Sequence, residues 1–232
     1  MVFAIVLLFV AAIVGVELIR RHRQQTAAAA APLVLQPAYQ MKTDRIRVPA
    51  GLYFHPSHTW GHMSVKGSVQ AGIDDFILHV TGPLSKVSIS AAEGNVKQGE
   101  PLITLEQDGK RLVLPSPVTG HVAALNQEVL GDPSQLARQP YGDNWLCEIT
   151  PDDWSKDTRN LLLGKGAGEW LRREMTRLRD FFANLIDPQI SGNAAIALQD
   201  GGEVAEGVLR YQEETVWNDF QSDFLNMQNE TA

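Results

Sequence analysis

Three groupings in this 232-residue chain invite a chemical reading. His55, His58 and His62 are separated by two and then three residues, a spacing that superficially suits a metal. No Cys or acid stands beside them to complete a ligand set, so packing and turn roles are expected and no metal is assigned. Gly164-Lys165-Gly166-Ala167-Gly168 resembles a phosphate-binding loop in composition only. It lacks the upstream Gly, and Gly166 stands where Ser or Thr should follow the Lys. The single cysteine, Cys147, lies in the apolar run Trp145-Leu146-Cys147 and reads as a buried thiol. No nucleophile is paired with a base, so the chain is expected not to be an enzyme.

The elements around these residues are mainly short strands. Between Val48 and Thr150, apolar runs alternate with turn residues: Val87–Ile89, Pro101–Leu105, Arg111–Leu114, His121–Leu125 and Trp145–Ile149. Asp108-Gly109 between two of them predicts a two-residue hairpin, because a type I′ turn needs positive φ at both central positions. Pro117 and Gly120 bracket another turn, and Asp132 to Ala137 predicts a short helix with Pro133 in its first turn. The expected fold is a small, mostly antiparallel β-sandwich or flattened barrel over residues 48–150.

Several motifs in this region occur together and in order. Phe54-His55-Pro56-Ser57-His58-Thr59-Trp60 comes first, then Gly72-Ile73-Asp74-Asp75-Phe76 with Gly82. Ser116-Pro117-Val118-Thr119-Gly120 and Asn126-Gln127-Glu128 come next, and Pro140-Tyr141-Gly142-Asp143-Asn144-Trp145-Leu146 ends the series. The set resembles the glycine cleavage system H proteins, and it implies a lipoyl-domain-like β-sandwich with a few short helices. In that family a Lys at a hairpin tip carries lipoic acid in amide linkage, and the arm moves an aminomethyl group between partner enzymes.

That Lys stands seven residues before the Ser of Ser-Pro-Val, with a Glu three residues ahead of it. Here those positions are Gly109 and Glu106, so the resemblance keeps the Glu and lacks the Lys. The acid usually found four residues after the Lys is Val113. Lys110 comes one residue late, and a one-residue slip turns a strand side chain to the opposite face. Lys110 is therefore expected to be a solvated strand lysine beside Arg111, and no cofactor is expected. The alternative is lipoate or biotin on Lys110, with Glu106, Asp108 and Gly109 as the surrounding tip.

The flanks have a different character. Residues 1–19 are apolar except for Glu17, and Arg20, Arg21, His22 and Arg23 come directly after. About 20 apolar residues span a bilayer, and basic residues flank the cytoplasmic side. The expectation is a single-pass anchor with its N-terminus outside, a basic collar ending at residue 23, a linker over 24–47 and the bulk of the chain cytoplasmic. A signal peptide cleaved near Ala27–Ala31 is the competing reading, although no basic residues precede the apolar run.

Beyond residue 150, Asp152-Asp153-Trp154 predicts a helix start. Trp170, Leu171, Met175, Leu178, Phe181 and Phe182 then recur at helical spacing with Arg172, Arg173, Arg177 and Arg179 among them. This predicts an amphipathic helical segment over 151–188, stopped by Pro188, whose stripe packs on the β-domain, docks a partner or lies on a membrane surface. The net charge of −7 resides entirely after Gln189, where eight acids face one base, Arg210. Val216, Trp217, Phe220 and Phe224 give that acidic tail, 189–232, a short terminal helix that could fold back or clasp a partner.

With no basic surplus, nucleic acid is not an expected partner. The expected role is a membrane-tethered, unmodified H-protein-like binding or assembly module that docks a partner enzyme or redox complex. Contact with anionic lipid would run through Arg20, Arg21, Arg23, Arg172 and Arg173. The alternatives are a carrier modified at Lys110, in one-carbon or sulfur transfer, and an efflux-type membrane-fusion adaptor.

Overall fold

The structure is a computed structural model that describes residues 48–90, 92, 94–185 and 204–226. The expected membrane span, its basic collar, the 24–47 linker and Pro188 lie outside the described residues. Among the described residues no helix is long and apolar enough to cross a membrane.

Among the described residues, ten strands form two antiparallel sheets. The larger contains β1 (Tyr53–Phe54), β2 (Thr59–Met63), β3 (Val69–Ile73), β5 (Asn95–Val96), β8 (Gly120–Leu125), β9 (Cys147–Pro151) and β10 (Leu162–Leu163), in the order β10-β1-β2-β3-β9-β8-β5. The smaller contains β4 (Lys86–Ile89), β6 (Pro101–Gln107) and β7 (Lys110–Pro115), in the order β4-β6-β7. Alternation along the strands supplies both buried faces: Val69, Ala71 and Ile73 from β3, and Ile103, Leu105, Leu112 and Leu114 from the hairpin. These residues belong to one core. Pairing continues past Thr150, because β10 joins β1 through Tyr53↔Leu163 and Phe54↔Leu162.

Trp60 shows how tightly the sheet is filled. It is buried on β2, and its indole N–H donates to the carbonyls of Ile73 at 2.9 Å and Pro140 at 3.2 Å. Its ring lies over Gly72, where a Cβ would stand 2.6 Å from Cζ2. The glycine makes the room that the tryptophan occupies.

Helix α1 (Asp75–Thr81) starts where Asp74 accepts a hydrogen bond from the Ile77 N–H, and it buries Phe76, Ile77 and Val80. Helices α2 (Gln127–Gly131), α3 (Ser134–Arg138) and α4 (Trp154–Asp157) are single turns, and Asp153 caps α4 as its position predicts. The amphipathic segment becomes α5 (Gly164–Asn184), with Trp170, Leu171, Met175, Leu178 and Phe182 buried. Its stripe packs against the β-domain and the C-terminal segment. That segment has a 3₁₀ turn at Val208–Tyr211, helix α6 (Glu214–Phe220) and a π-helical turn at Gln221–Leu225. Phe220 and Phe224 stack at 4.7 Å and sit between Phe76 of α1 and Phe181 of α5.

The histidines separate. His62 bonds the Gly51 carbonyl near the surface at 3.2 Å, whereas His55 and His58 are buried. Among the described residues no group of three His, Cys, Asp or Glu side chains could hold a metal ion. His58 instead is the centre of an ionic cluster. Its Nδ1 lies 2.8 Å from Asp74 Oδ2, and its Nε2 lies 3.7 Å from Glu174 Oε2, an ion-pair distance. Phe76 stacks on the imidazole at 4.1 Å, and Trp170 lies 4.9 Å away. Burial opposes charge on His58, but Asp74 and Glu174 outweigh it and raise the group to about 9. Burial likewise acts against Glu174, which His58 and Arg177 nevertheless hold below the usual carboxylate range. Burial, and then the charge on His58, lowers His55 to about 4.

Two consequences can be measured. Gly72→Ala forces a methyl into the Trp60 ring and should cost about 1–3 kcal/mol in urea denaturation. A neutral change would mean that the ring moves aside freely. His58 titrates higher when folded than in the unfolded chain, so its contribution is complete below pH 6.5 and is lost as pH rises through about 9. Asp75, raised to about 6 by burial and then by Asp74, and His55, lowered to about 4, overlap only the start of that window. Wild-type stability should fall by roughly 1–3 kcal/mol between pH 6.5 and 9, and Glu174→Gln should flatten the fall. An equal slope in the variant would remove Glu174 from the cluster.

Candidate functional site

The site is the hairpin formed by β6 and β7. Asp108 and Gly109 have φ of +48° and +82°, the double positive φ that a type I′ turn requires, and Gln107↔Lys110 is the closing pair. A Cβ at Gly109 would meet nothing within 4 Å, so the tip is open at that position and carries no side chain. Glu106 faces Lys86 across the β4 edge at 3.6 Å.

Lys110 differs from the solvated lysine expected beside Arg111. It shares the inward face with Leu112 and Leu114, because side chains two apart point the same way. The C-terminal segment covers that face. The Lys110 ammonium donates to the carbonyls of Arg210 at 3.0 Å and Gln212 at 2.6 Å, and lies 5.6 Å from the centre of the Trp217 ring. Asp108 pairs with Arg210 at 3.1 Å. The Trp217 indole donates to the Leu209 carbonyl at 2.7 Å, which fixes the turn that supplies those two acceptors. Across the hairpin from Lys110, the Gln107 side chain is buried with neither polar atom bonded.

The outer edge of β7 is also occupied. The Val113 N–H donates to Gln221 Oε1 at 2.7 Å, and Gln221 Nε2 donates to the Val113 carbonyl at 2.8 Å. One side-chain amide therefore takes both backbone groups of an edge residue. Beside it runs an open groove of about 760 Å³, lined by Arg111, Val113 and Pro115 on the strand and Glu214, Asn218 and Gln221 on the other wall.

Behind the segment, Arg177 of α5 grips Glu174 with both carboxylate contacts at 2.8 Å. It also donates to the Asp223 carbonyl at 2.8 Å and covers the Phe224 ring at 4.9 Å. Arg172 and Arg173 are exposed on the same helix. Lys165 pairs with Glu169 at 3.7 Å on the exposed first turns of α5, a helical setting rather than a loop around a phosphate. The Cys147 thiol is buried, and that burial pushes it up to about 12, leaving it an inert core residue. The arrangement suits binding and positioning.

Sequence reasoning located the hairpin but not Glu174, Trp217 or Gln221 as contact residues. Glu174 carried a usable signal. It is the one acid set into the apolar stripe of α5, between Leu171 and Leu178. Gln221 carried none, since its partner lies 108 residues away.

The profile of the glycine cleavage H-protein family matches residues 52–174. The glycine cleavage system H protein of Hydrogenovibrio crunogenus is 30% identical over 109 residues, covering 47% of this chain and 84% of that protein. The probable H protein of Pyrococcus abyssi is 28% identical over 126 residues, covering 54% and 93%, respectively. That of Coxiella burnetii is 30% identical over 118 residues, covering 51% and 90%. Among solved structures, the H protein of Mycobacterium marinum is 22% identical and covers 55% of this chain and 98% of that one, with a TM-score of 0.46. The matched region begins before Trp60, contains the whole hairpin and ends at Glu174: the chain belongs to the glycine cleavage H-protein family.

Proposed function

We propose that this chain is a non-catalytic, unlipoylated member of its family that docks a partner protein at a membrane. The observation that carries the reading is the hairpin tip. The position expected to hold the lipoyl lysine is Gly109, with open space around it, and the next amine is turned inward onto two carbonyls. A swinging arm needs an amine that a modifying enzyme can reach and that then moves freely. Lys110 meets neither need while Arg210 and Gln212 hold it, so the residues present do not fit the prosthetic group.

Membrane tethering rests on the sequence. Residues 1–19 are long enough to anchor the chain, and Arg20, Arg21 and Arg23 would keep the β-domain and C-terminal segment on the cytoplasmic side. The exposed Arg172 and Arg173 of α5 offer a second contact for anionic lipid. Family membership favours one other reading, a carrier modified on Lys110.

Intact mass of the purified full-length protein separates these readings. The unmodified mass is expected, and a lipoyl or biotinyl increment mapped to Lys110 would establish the carrier instead. Cell fractionation addresses the anchor. The full chain should sediment with membranes and a variant lacking residues 1–23 should not, whereas a full chain in the soluble fraction would refute tethering. Detergent extraction should recover the protein with a partner, and recovery as a free monomer only would refute the docking role.

A further inference from the structure

The matched family region ends at Glu174, yet the surface of the hairpin is completed by residues 204–226. The segment is thus an addition to a domain whose strands and helices are already in place. Its grip on the tip is made of hydrogen bonds that water can replace: Lys110 to two carbonyls, Arg210 to Asp108, and Gln221 to Val113. Asp108 and Arg210 are each about half exposed. Gln107, the partner of Lys110 across the hairpin, is buried with both polar atoms unbonded. Against this stand Trp217, Phe220, Phe224 and Leu225, all buried, which hold the segment down and keep the open form a minority.

We infer that Val208–Leu225 is a self-docked strap that opens as a unit and so gates macromolecular access to Lys110 and the β7 edge. The closed strap supplies in cis what a docked protein would supply in trans: acceptors for the lysine, an amide for Val113 and aromatic cover. A partner seated on the hairpin must displace it. The gate depends on the strap's contacts alone and operates whether Lys110 proves modified or not.

The test uses the full-length protein. A limiting amine-acylating ester is applied and the products are mapped by peptide mass, with the exposed Lys66 as internal reference. Lys110 should react more slowly than Lys66 in the wild type. Gln221→Ala and Arg210→Ala should each raise its rate about tenfold, the population change expected on losing one or two net hydrogen bonds. Amide hydrogen exchange on the unmodified protein gives a readout free of mutational damage, and α6 amides should exchange through an opening that leaves β6 and β7 protected. Equal wild-type rates at Lys110 and Lys66 would overturn the gate. So would a Lys110 that stays slow in both variants, or α6 amides that exchange only together with β6 and β7.

Discussion

A buried positive charge organises this fold. His58 sits in a tight turn at φ +64°, away from water, and its protonated ring requires negative partners that the turn itself does not provide. One comes from Asp74, which also caps α1, and the other from Glu174, on a helix more than a hundred residues later. An unpaired charge at such depth would be strongly destabilising, so turn, cap and helix are mutually required. Arg177 extends the chain of contacts from Glu174 to the backbone of the C-terminal segment. The core of the β-domain and the cover over its hairpin are thereby linked through alternating charges.

The hairpin draws its character from where its turn falls. With Asp108 and Gly109 filling the two turn positions, the lysine after them must occupy the first paired position and face inward. There it joins the apolar face of β7, where an ammonium is tolerable only if its protons find acceptors. Arg210 and Gln212 provide them, and the Trp217 ring adds a cation–π contact. The same turn chemistry that makes a good hairpin therefore withdraws the amine from the tip.

Much of this was legible in the residues. The Asp-Gly turn, the strand alternation, the capping aspartates and the ordered motifs from Phe54 to Leu146 are local signals, and they led to the correct family and sheet-rich fold. Long-range contacts were not legible. Lys110 looked solvated because nothing near it in sequence announces a cover from residues 204–226. Between the Arg-rich helix and the C-terminal segment, Arg177 meets the Asp223 carbonyl and the Phe224 ring, and Arg210 of the segment pairs with the hairpin's Asp108. The helical stripe did place α5 against the domain. Its end at Asn184 falls before Pro188, and β10 carries strand pairing beyond Thr150.

The amide of Gln221 has the same donor and acceptor, side by side, as a peptide bond. Laid against Val113 it acts as a strand one residue long. An outer β-strand with free backbone groups can recruit identical copies, rung upon rung, into a fibril. With Val113 already satisfied, that rung of β7 is closed to such a ladder, and the chain can keep a long hairpin at its surface with part of its outer edge already paired.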